Sequence, residues 1–453
     1  MSNCIHLKHG LDIPIAGAAA LKTGKQAVAD IVAVKPTDFK GFSPRLLVRE
    51  GDKVLCGSPL LADKQCPDIL ATSPVSGTVA EIVRGEKRKL LEVRIKADAK
   101  QEAVDFGAKA AGSLTAGQVK ELLLKSGLWL SLIERPYGII ANPDHSPKAI
   151  FVSSFSTAPL AADSDYVLGA DLRFIQAGVD ALSKLTAGGI HFCIREETKS
   201  SSPFHKVENV IMHAVSGPHP AGNVGVQIAN IAPIHKGDVV WTVSLLLLSA
   251  IGKLFSTGKV DLTRKVAVTG PAAKDPCYVE AFSGMPMSAI AEHVDDSEGE
   301  VRFVSGDALT GRNVGRKGFL GFFDNQVTLL HEGTEREILG WAKPLRTSRF
   351  SSSKAYFSWL LCHKKFAMDT NLHGGPRAFV VSDVYSKVLP IKDFFPVYLF
   401  KACIAGDIDK MEKFGIYELL PEDVALCEFV DPSKNDIQAI LEDGINLMIK
   451  EMA

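Results

Sequence analysis

The chain has 453 residues, 46% of them hydrophobic, which is enough apolar material for several cores and, at ordinary domain sizes, about three or four units. Its 51 Lys and Arg nearly balance 52 Asp and Glu, for a formal net charge of −1. Bulk charge therefore excludes nucleic acid as the expected partner, although locally basic patches remain able to face anionic lipid.

The eight cysteines, Cys4, Cys56, Cys66, Cys193, Cys277, Cys362, Cys403 and Cys427, include no C-x-x-C pair and read as reduced thiols in a cytosolic setting. Met1 to Gly10 lacks the apolar core of a signal peptide. From 46 to 95 the chain reads as short strands divided by Gly and Pro, with Gly51-Asp52 as a turn, which predicts a small sandwich or barrel. Residues 96–118, rich in Ala, Lys and Gly, read as a connector with a helical tendency. An α/β pattern follows: a helix near 116–126, a strand at 149–153, and a helix over 169–185 with Leu172, Ile175, Val179, Leu182 and Leu185 on one face. Thr186-Ala187-Gly188-Gly189 is expected to end that helix on glycine. Strands at 190–194 and 208–215 complete the alternation that argues for a mostly parallel, layered sheet.

The most apolar stretch, Val239 to Gly252, is 14 residues long and is bracketed by Asp238 and Lys253. A membrane-spanning helix needs about 20, so this stretch reads as a buried helix or strand–helix segment. Residues 262–332 read as a small α+β unit with a short helix at 288–293, and 347–354 as a polar linker. The rest is mainly helical. Ser433 to Asp436 is a capping-box-like start to a helix whose apolar face is Ile437, Ile440, Leu441, Ile445, Met448 and Ile449.

Chemical motifs are sparse. The strings G-D-K-V at 51–54, L-L-A-D-K at 60–64 and S-P-V-S-G-T-V at 73–79 resemble a lipoyl/biotinyl carrier domain, with Lys64 as the candidate carrier lysine. Ten positions separate Lys64 from Pro74, too many for the usual carrier hairpin, so the reading is a barrel-sandwich hybrid used as structure. The glycine-rich 217–225 string lacks both G-K-[ST] and G-x-G-x-x-G, and reads as a turn exposing His219 between two prolines. Gly311, Gly315, Gly318 and Gly321 beside Arg312, Arg316 and Lys317 fit tight hairpins with solvated charges better than an anion loop, and the acidic run Asp295, Asp296, Glu298 and Glu300 reads as a solvated loop. His6 and His9 have no supporting ligands, so no metal is expected. A cluster needs several thiolates, and Cys427, ahead of Asp431-Pro432, is a single one. No catalytic acid, base or nucleophile is legible.

A series of strings in order along the chain resembles the A subunit of the bacterial sodium-translocating NADH:quinone reductase. They are S-G-L-W at 126–129, E-R-P-Y at 134–137, A-I-F-V-S-S-F-S-T-A-P-L-A-A-D at 149–163, G-P-H-P-A-G at 217–222, V-V-W-T-V at 239–243, G-R-N-V-G at 311–315, H-G-G-P-R-A at 373–378 and A-L-C-E-F-V-D-P-S-K at 425–434. That family is related to the C subunit of the Rnf complex and to the flavin- and NADH-binding subunit of complex I. This chain has K-S-G-L-W-L-S-L where those relatives carry a glycine-rich loop, and keeps only Cys427 of their cysteine cluster.

The resemblance implies a multidomain α/β and α+β chain: an N-terminal region with a barrel-sandwich hybrid (1–100), a Rossmann-like α/β domain (101–260), a β-grasp domain of the soluble-ligand-binding (SLBB) type (261–335) and a mainly helical C-terminal domain (336–453). It implies a peripheral subunit on the cytoplasmic face of the inner membrane that binds no cofactor of its own. Its partners would be the other subunits of the complex, the membrane subunits above all, and quinone would be a substrate of the complex, which moves electrons from NADH to quinone and pumps sodium. Two other roles stay open: a scaffold that docks membrane partners without binding quinone, and a lipoyl- or biotinyl-type carrier.

A quinone headgroup needs an apolar slot with an aromatic wall and donors for its carbonyls. Phe39, Lys40 and Phe42 in one segment, and Trp129, Arg135 and Tyr137 in another, supply both, and both segments match regions that the family associates with quinone contact. The alternative is that Trp129 and Tyr137 are core residues and that Phe39 and Phe42 pack a domain interface.

Overall fold

A computed structural model describes residues 3–27, 29–297, 299–334, 343, 345–361, 363–371, 384–392 and 394–452. Cys362, Glu298 and the H-G-G-P-R-A string at 373–378 lie outside them.

The first strand, β1 (Asn3–His6), pairs in parallel with a strand more than 200 residues away, Asn3 opposite His213, and leaves the next strands to form their own unit. Those are β2 (Ile31–Val34), β3 (Pro44–Leu46), β4 (Lys53–Val54), β5 (Pro59–Asp63), β6 (Leu70–Thr72), β7 (Gly77–Arg84) and β8 (Leu90–Ala97). They make a four-stranded sheet in the order β2-β8-β7-β4 and a three-stranded sheet β3-β5-β6. Val32, Leu60, Val75, Val79, Val93 and Ile95 are buried in this unit, and β5 is buried on both faces, since its neighbour Leu61 is buried as well. Gly77 of the S-P-V-S-G string is required by close approach, since a Cβ there would sit 2.0 Å from the Lys96 carbonyl oxygen. The connector after β8 is not helical: its backbone is committed to neighbours, with the Glu102 carbonyl accepting from Cys56 N–H, and Val104, Phe106 and Lys109 donating to Cys56, Gly258 and Phe255.

Helix α1 (Ala116–Ser126) opens on a true capping box, Thr115 with Gln118, and ends on Gly127 at φ +77°. There follow β9 (Ile133–Arg135), β10 (Ile139–Ile140), β11 (Ile150–Ser153), α2 (Ser164–Leu168), α3 (Leu172–Leu182), β12 (Ile190–Arg195), β13 (Ile211–Ser216), α4 (Val224–Ile231), β14 (Val240–Thr242) and α5 (Leu245–Thr257). The seven-stranded sheet runs β1-β13-β12-β11-β14-β9-β10, parallel through β14 and closed by the antiparallel β9 and β10. Alternation assigns its faces. Ile150, Val152, Ile190, Phe192 and Trp241 meet α3, α5 and the barrel-sandwich unit, while Ala149, Phe151 and Val240 meet the C-terminal helices.

The apolar stretch at 239–252 is a strand followed by a helix. Its α5 packs very tightly on α3: a Cβ on Gly252 would lie 1.6 Å from the Phe174 carbonyl oxygen. The helix over 169–185 is α3 flanked by single 3-10 turns. It does not end on glycine. Thr186 is extended at its end, and Gly189, φ +81°, turns the chain into β12 instead.

The next unit contains β15 (Thr263–Thr269), β16 (Cys277–Phe282), β17 (Val301–Ser305), β18 (Arg312–Asn313) and β19 (Gln326–His331) in the order β16-β15-β19-β17-β18, with a 3-10 segment at Met287–His293. Within this sheet β15 and β19 pair in parallel and the other pairs are antiparallel. The polar segment 347–354 is tied down: Arg349 pairs with Asp369 at 2.6 Å, and the Phe350 ring meets Phe366 and Phe429. Helices α6 (Pro396–Ala405), α7 (Ile408–Lys413), α8 (Pro421–Val430) and α9 (Ile437–Met452) close the chain. Of the expected apolar face of α9, Ile437, Leu441, Ile445 and Met448 are buried and Ile440 and Ile449, at its edges, are half-buried. Its start is not a capping box. Asp431 accepts from the backbone of Ser433 and Asn435, and Glu428 from α8 accepts from Gln438 N–H. Among the described residues no helix is long and apolar enough to cross a membrane.

Two glycines test this packing. Gly252→Ala forces backbone apart and should cost about 1–3 kcal/mol, whereas Gly117→Ala, with open space around its Cβ in α1, should stabilise by roughly 0.5 kcal/mol. Urea unfolding of both variants measures the difference.

Candidate functional site

The two segments expected to face quinone are stitched together. Ile140 N–H on β10 donates to the Lys40 carbonyl at 3.0 Å, and Gly41, at φ +84°, lies against Ile139 where a Cβ would be 3.0 Å from the isoleucine Cβ. Their side chains divide between different environments. Phe39 and Phe42 are buried, 5.9 Å apart edge to face, and Phe39 also meets Phe322 at 5.0 Å. Lys40 reaches the α9 residue Glu442 at 3.4 Å. Trp129 is wholly buried, donates to the Ala141 carbonyl at 2.7 Å and packs edge-on against Trp241. Tyr137 is half-buried against the C-terminal helices. Burial raises its phenol above the usual value, with Glu412 and Glu134 adding to the effect.

Glu134 and Arg135 are neighbours on β9, so they point to opposite faces of the sheet. Glu134 accepts from Trp241 Nε1, from Asn142 N–H and from the His145 ring. Arg135 turns to the other face, where both of its terminal nitrogens are paired while its Nε is buried without a hydrogen-bond partner. Its Nη1 donates to Asp423 at 3.0 Å and its Nη2 to Glu422 at 2.8 Å, both on the first turn of α8. Arg135 is 1% exposed. Burial opposes its charge, but the attraction of Asp423 and then Glu422 outweighs that, and its pKa is raised. Asp423 also accepts from Leu420 N–H. The pair lies against the first turn of α4, where a Cβ on Gly225 would be 2.2 Å from Asp423 Oδ2 and 2.4 Å from Arg135 Nη1. The amino end of a helix at the carboxyl edge of a parallel sheet is a place that suits an anion. Here a carboxylate of the same chain sits against it.

The two stitched segments also share a cavity at the junction of the barrel-sandwich, α/β and β15–β19 units. Lys35, Asp38, Phe39, Gly127, Leu128, Leu130 and Phe322 are among its walls. Lys35 Nζ donates to the Phe319 carbonyl at 2.8 Å and stands 3.7 Å from Asp38. Its room, about 20 Å³, is that of one water molecule and not of a ring. A second, open cleft of about 480 Å³ lies between residues 234–236 and the helices, walled by Glu412, Tyr417 and Glu418 among others. Glu412 is held by Lys236 at 2.8 Å and by the Tyr417 hydroxyl at 2.6 Å. Glu418 Oε2 is buried without a hydrogen-bond partner, and burial raises the carboxyl to about 7.

Other residues singled out in the sequence are placed as follows. Lys64 is exposed at the start of the loop joining β5 to β6, where Asp63 accepts from Ser43 and Gln65 N–H, so the loop is broad rather than a tight turn. His219 is not exposed: its ring is buried 3.2 Å from Thr157 Oγ1, because the 217–222 turn packs onto the loop after β11. Arg312 and Arg316 are exposed and lie 3.5 and 3.4 Å from Asp38 and Asp296. His6 meets Ser216 at 3.0 Å. Burial pushes the Cys427 thiol far above its usual range, which keeps it neutral. Phe322 and Asp423 were not legible as site residues, since each joins the site through contacts across long stretches of chain, and Lys35, four residues before Phe39, was not singled out.

Comparison with known proteins gives three matching family models: the NqrA N-terminal barrel-sandwich hybrid domain over 5–98, the NqrA second alpha/beta domain over 114–260, and the NQRA C-terminal domain over 265–316. Relatives match end to end. The A subunit of the Na(+)-translocating NADH-quinone reductase of Yersinia pestis bv. Antiqua is 35% identical over 450 residues, covering 99% of this chain and 100% of that protein. The corresponding protein of Alcanivorax borkumensis is 38% identical over 453 residues, with 99% and 100% covered.

Arg135→Met leaves Asp423 buried and uncompensated, and should cost about 3–5 kcal/mol in urea unfolding; Glu422→Gln, with a carboxylate side chain 47% exposed, should cost less than about 1 kcal/mol. The folded value of Glu418 lies above its ordinary 4.5, so folding favours the protonated form. The stability it contributes is complete below pH 4.5 and is lost as pH rises through about 7. Glu418→Gln should flatten the stability profile across that window.

Proposed function

The chain belongs to the family of A subunits of the Na(+)-translocating NADH-quinone reductase, and from that membership we propose that it is a peripheral, cofactor-free component of a sodium-pumping NADH:quinone reductase that helps to bind quinone and to assemble the complex on the cytoplasmic face of the membrane. The partners in this reading are the membrane subunits of the complex.

The observation that carries the quinone part is convergence: segments 31–50 and 126–140 share one backbone pairing and one cavity. The ring would enter between Phe39 and Phe322, with Leu128 and Leu130 behind it and the Lys35 ammonium as the donor to a carbonyl. Because the cavity now holds one water's volume, entry requires those two phenylalanines to part. Trp129 and Arg135 then support the site from outside: Trp129 fixes the turn after α1, and Arg135 fixes the strand after it. Reduction of a quinone takes two electrons and two protons. In this reading the electrons arrive from a partner protein of the complex, and this chain orients the ring and excludes water around it. The occupied first turn of α4 supports a role without a bound dinucleotide.

A photoreactive quinone bound to the intact complex should label this chain within 31–50 and 126–140; labels wholly outside both segments would contradict the site. Phe39→Leu removes an aromatic wall and should weaken quinone binding about two- to tenfold, read by tryptophan fluorescence titration, with little change in melting temperature.

A further inference from the structure

The segment 343–368 contains six Lys or Arg and no Asp or Glu, in a chain whose totals, 51 Lys and Arg against 52 Asp and Glu, nearly balance. In its middle stands an apolar turn that the described residues leave exposed. Phe357, Trp359, Leu360 and Leu361 are 46%, 50%, 59% and 43% exposed. Large apolar side chains scattered singly on a surface need no explanation, but four within five residues form a patch.

The patch is held in place rather than dangling. Phe357–Leu360 is a 3-10 turn whose alternate residues face inward: Tyr356 and Ser358 are buried while Phe357 and Trp359 face out. On its far side Phe366 is buried and anchored to the body, its N–H donating to the Pro14 carbonyl and its own carbonyl accepting from Ala16. Exposed lysines flank the turn on both sides, Lys354 before it and Lys364 and Lys365 after it. Lys354 Nζ lies 5.7 Å from the centre of the Trp359 ring. An exposed Trp-Leu-Leu tip with ammonium groups at its rim matches the two layers of an anionic bilayer: acyl boundary for the rings and methyls, headgroup phosphates for the lysines.

We propose that residues 354–361 and 363–365 form a lipid-contact element that inserts Phe357, Trp359, Leu360 and Leu361 into the boundary of an anionic membrane, with Lys354, Lys364 and Lys365 on the headgroups. The sign of the charge decides for lipid over an apolar protein groove, because Lys354, Lys364 and Lys365 border the turn with no acid between them, while Arg349 further back is already paired with Asp369. The element acts without quinone and does not depend on the quinone reading.

The test is co-sedimentation of the full chain with vesicles of phosphatidylcholine alone and of phosphatidylcholine with phosphatidylglycerol. The wild-type chain should sediment with the anionic vesicles and not the neutral ones, and binding should fall as salt is raised. Lys364→Ala with Lys365→Ala, and Trp359→Ser with Leu360→Ser, should each weaken binding about tenfold or more. Brominated acyl chains should quench tryptophan emission in the wild type and not in Trp359→Phe, which checks insertion without relying on the double variants. Failure to sediment with anionic vesicles, equal binding by the variants, or capture only by membranes that carry the partner proteins of the complex would overturn the proposal; the last outcome would assign the patch to a protein contact.

Discussion

The contact between Arg135 and the carboxylates of Asp423 and Glu422 joins the last strands of the seven-stranded sheet to the helices that end the chain. A guanidinium this deeply buried is tolerable only with partners, and a bidentate arrangement of donors on two carboxylates is what makes the burial stable. Everything around it is arranged to permit it. Gly225 leaves the space, Leu420 N–H gives Asp423 a further donor, and the first turn of α4 lies alongside. The consequence for function is spatial: a corner of an α/β fold that elsewhere suits a phosphate is occupied by the chain's own side chains.

The opposite face of the same strand carries a second network, Glu134 with Trp241, Asn142 and His145, and the edge-on pair of Trp129 and Trp241. One three-residue strand thus fixes two layers at once. The turn that holds Gly127, Leu128 and Leu130 is thereby fixed on one side of the small cavity, while on the other side the Phe39 and Phe322 rings pack on each other and on Phe42 and Phe323, with the Phe322 backbone tied to Asp38 and Arg264. In the proposed quinone reading, opening is a matter of moving rings and not of breaking hydrogen bonds.

Local pattern made much of the fold legible. Short apolar runs divided by Gly and Pro placed the barrel-sandwich strands, spacing of three and four placed α3 and α9, and the length of the 239–252 stretch argued against a span and left a buried helix or a strand–helix segment, of which the fold shows the second. What failed to show was whatever depends on distant partners. β1 pairs with β13 across some two hundred residues, the connector at 98–110 gives its hydrogen bonds to Cys56 and Phe255 instead of to itself, and α9 is capped from α8. The candidate site divides in the same way. Aromatic and cationic residue types at 39–42 and 129–137 marked two segments that the fold brings together, yet Arg135 was read as a free donor, since nothing near it in sequence announces Glu422 and Asp423. Chemistry can be read from residue type, but availability depends on what the fold brings alongside.

We propose that the edge of the α/β sheet at α4, where the chain's own Asp423 carboxylate lies against the helix, takes no dinucleotide or flavin. Equilibrium titration of the separately purified full chain with FMN and with NADH, followed by ligand fluorescence, tests it most directly. A chain closed in this way leaves the emission of both ligands unchanged up to millimolar concentration. Saturable binding of either one in the micromolar range would contradict it.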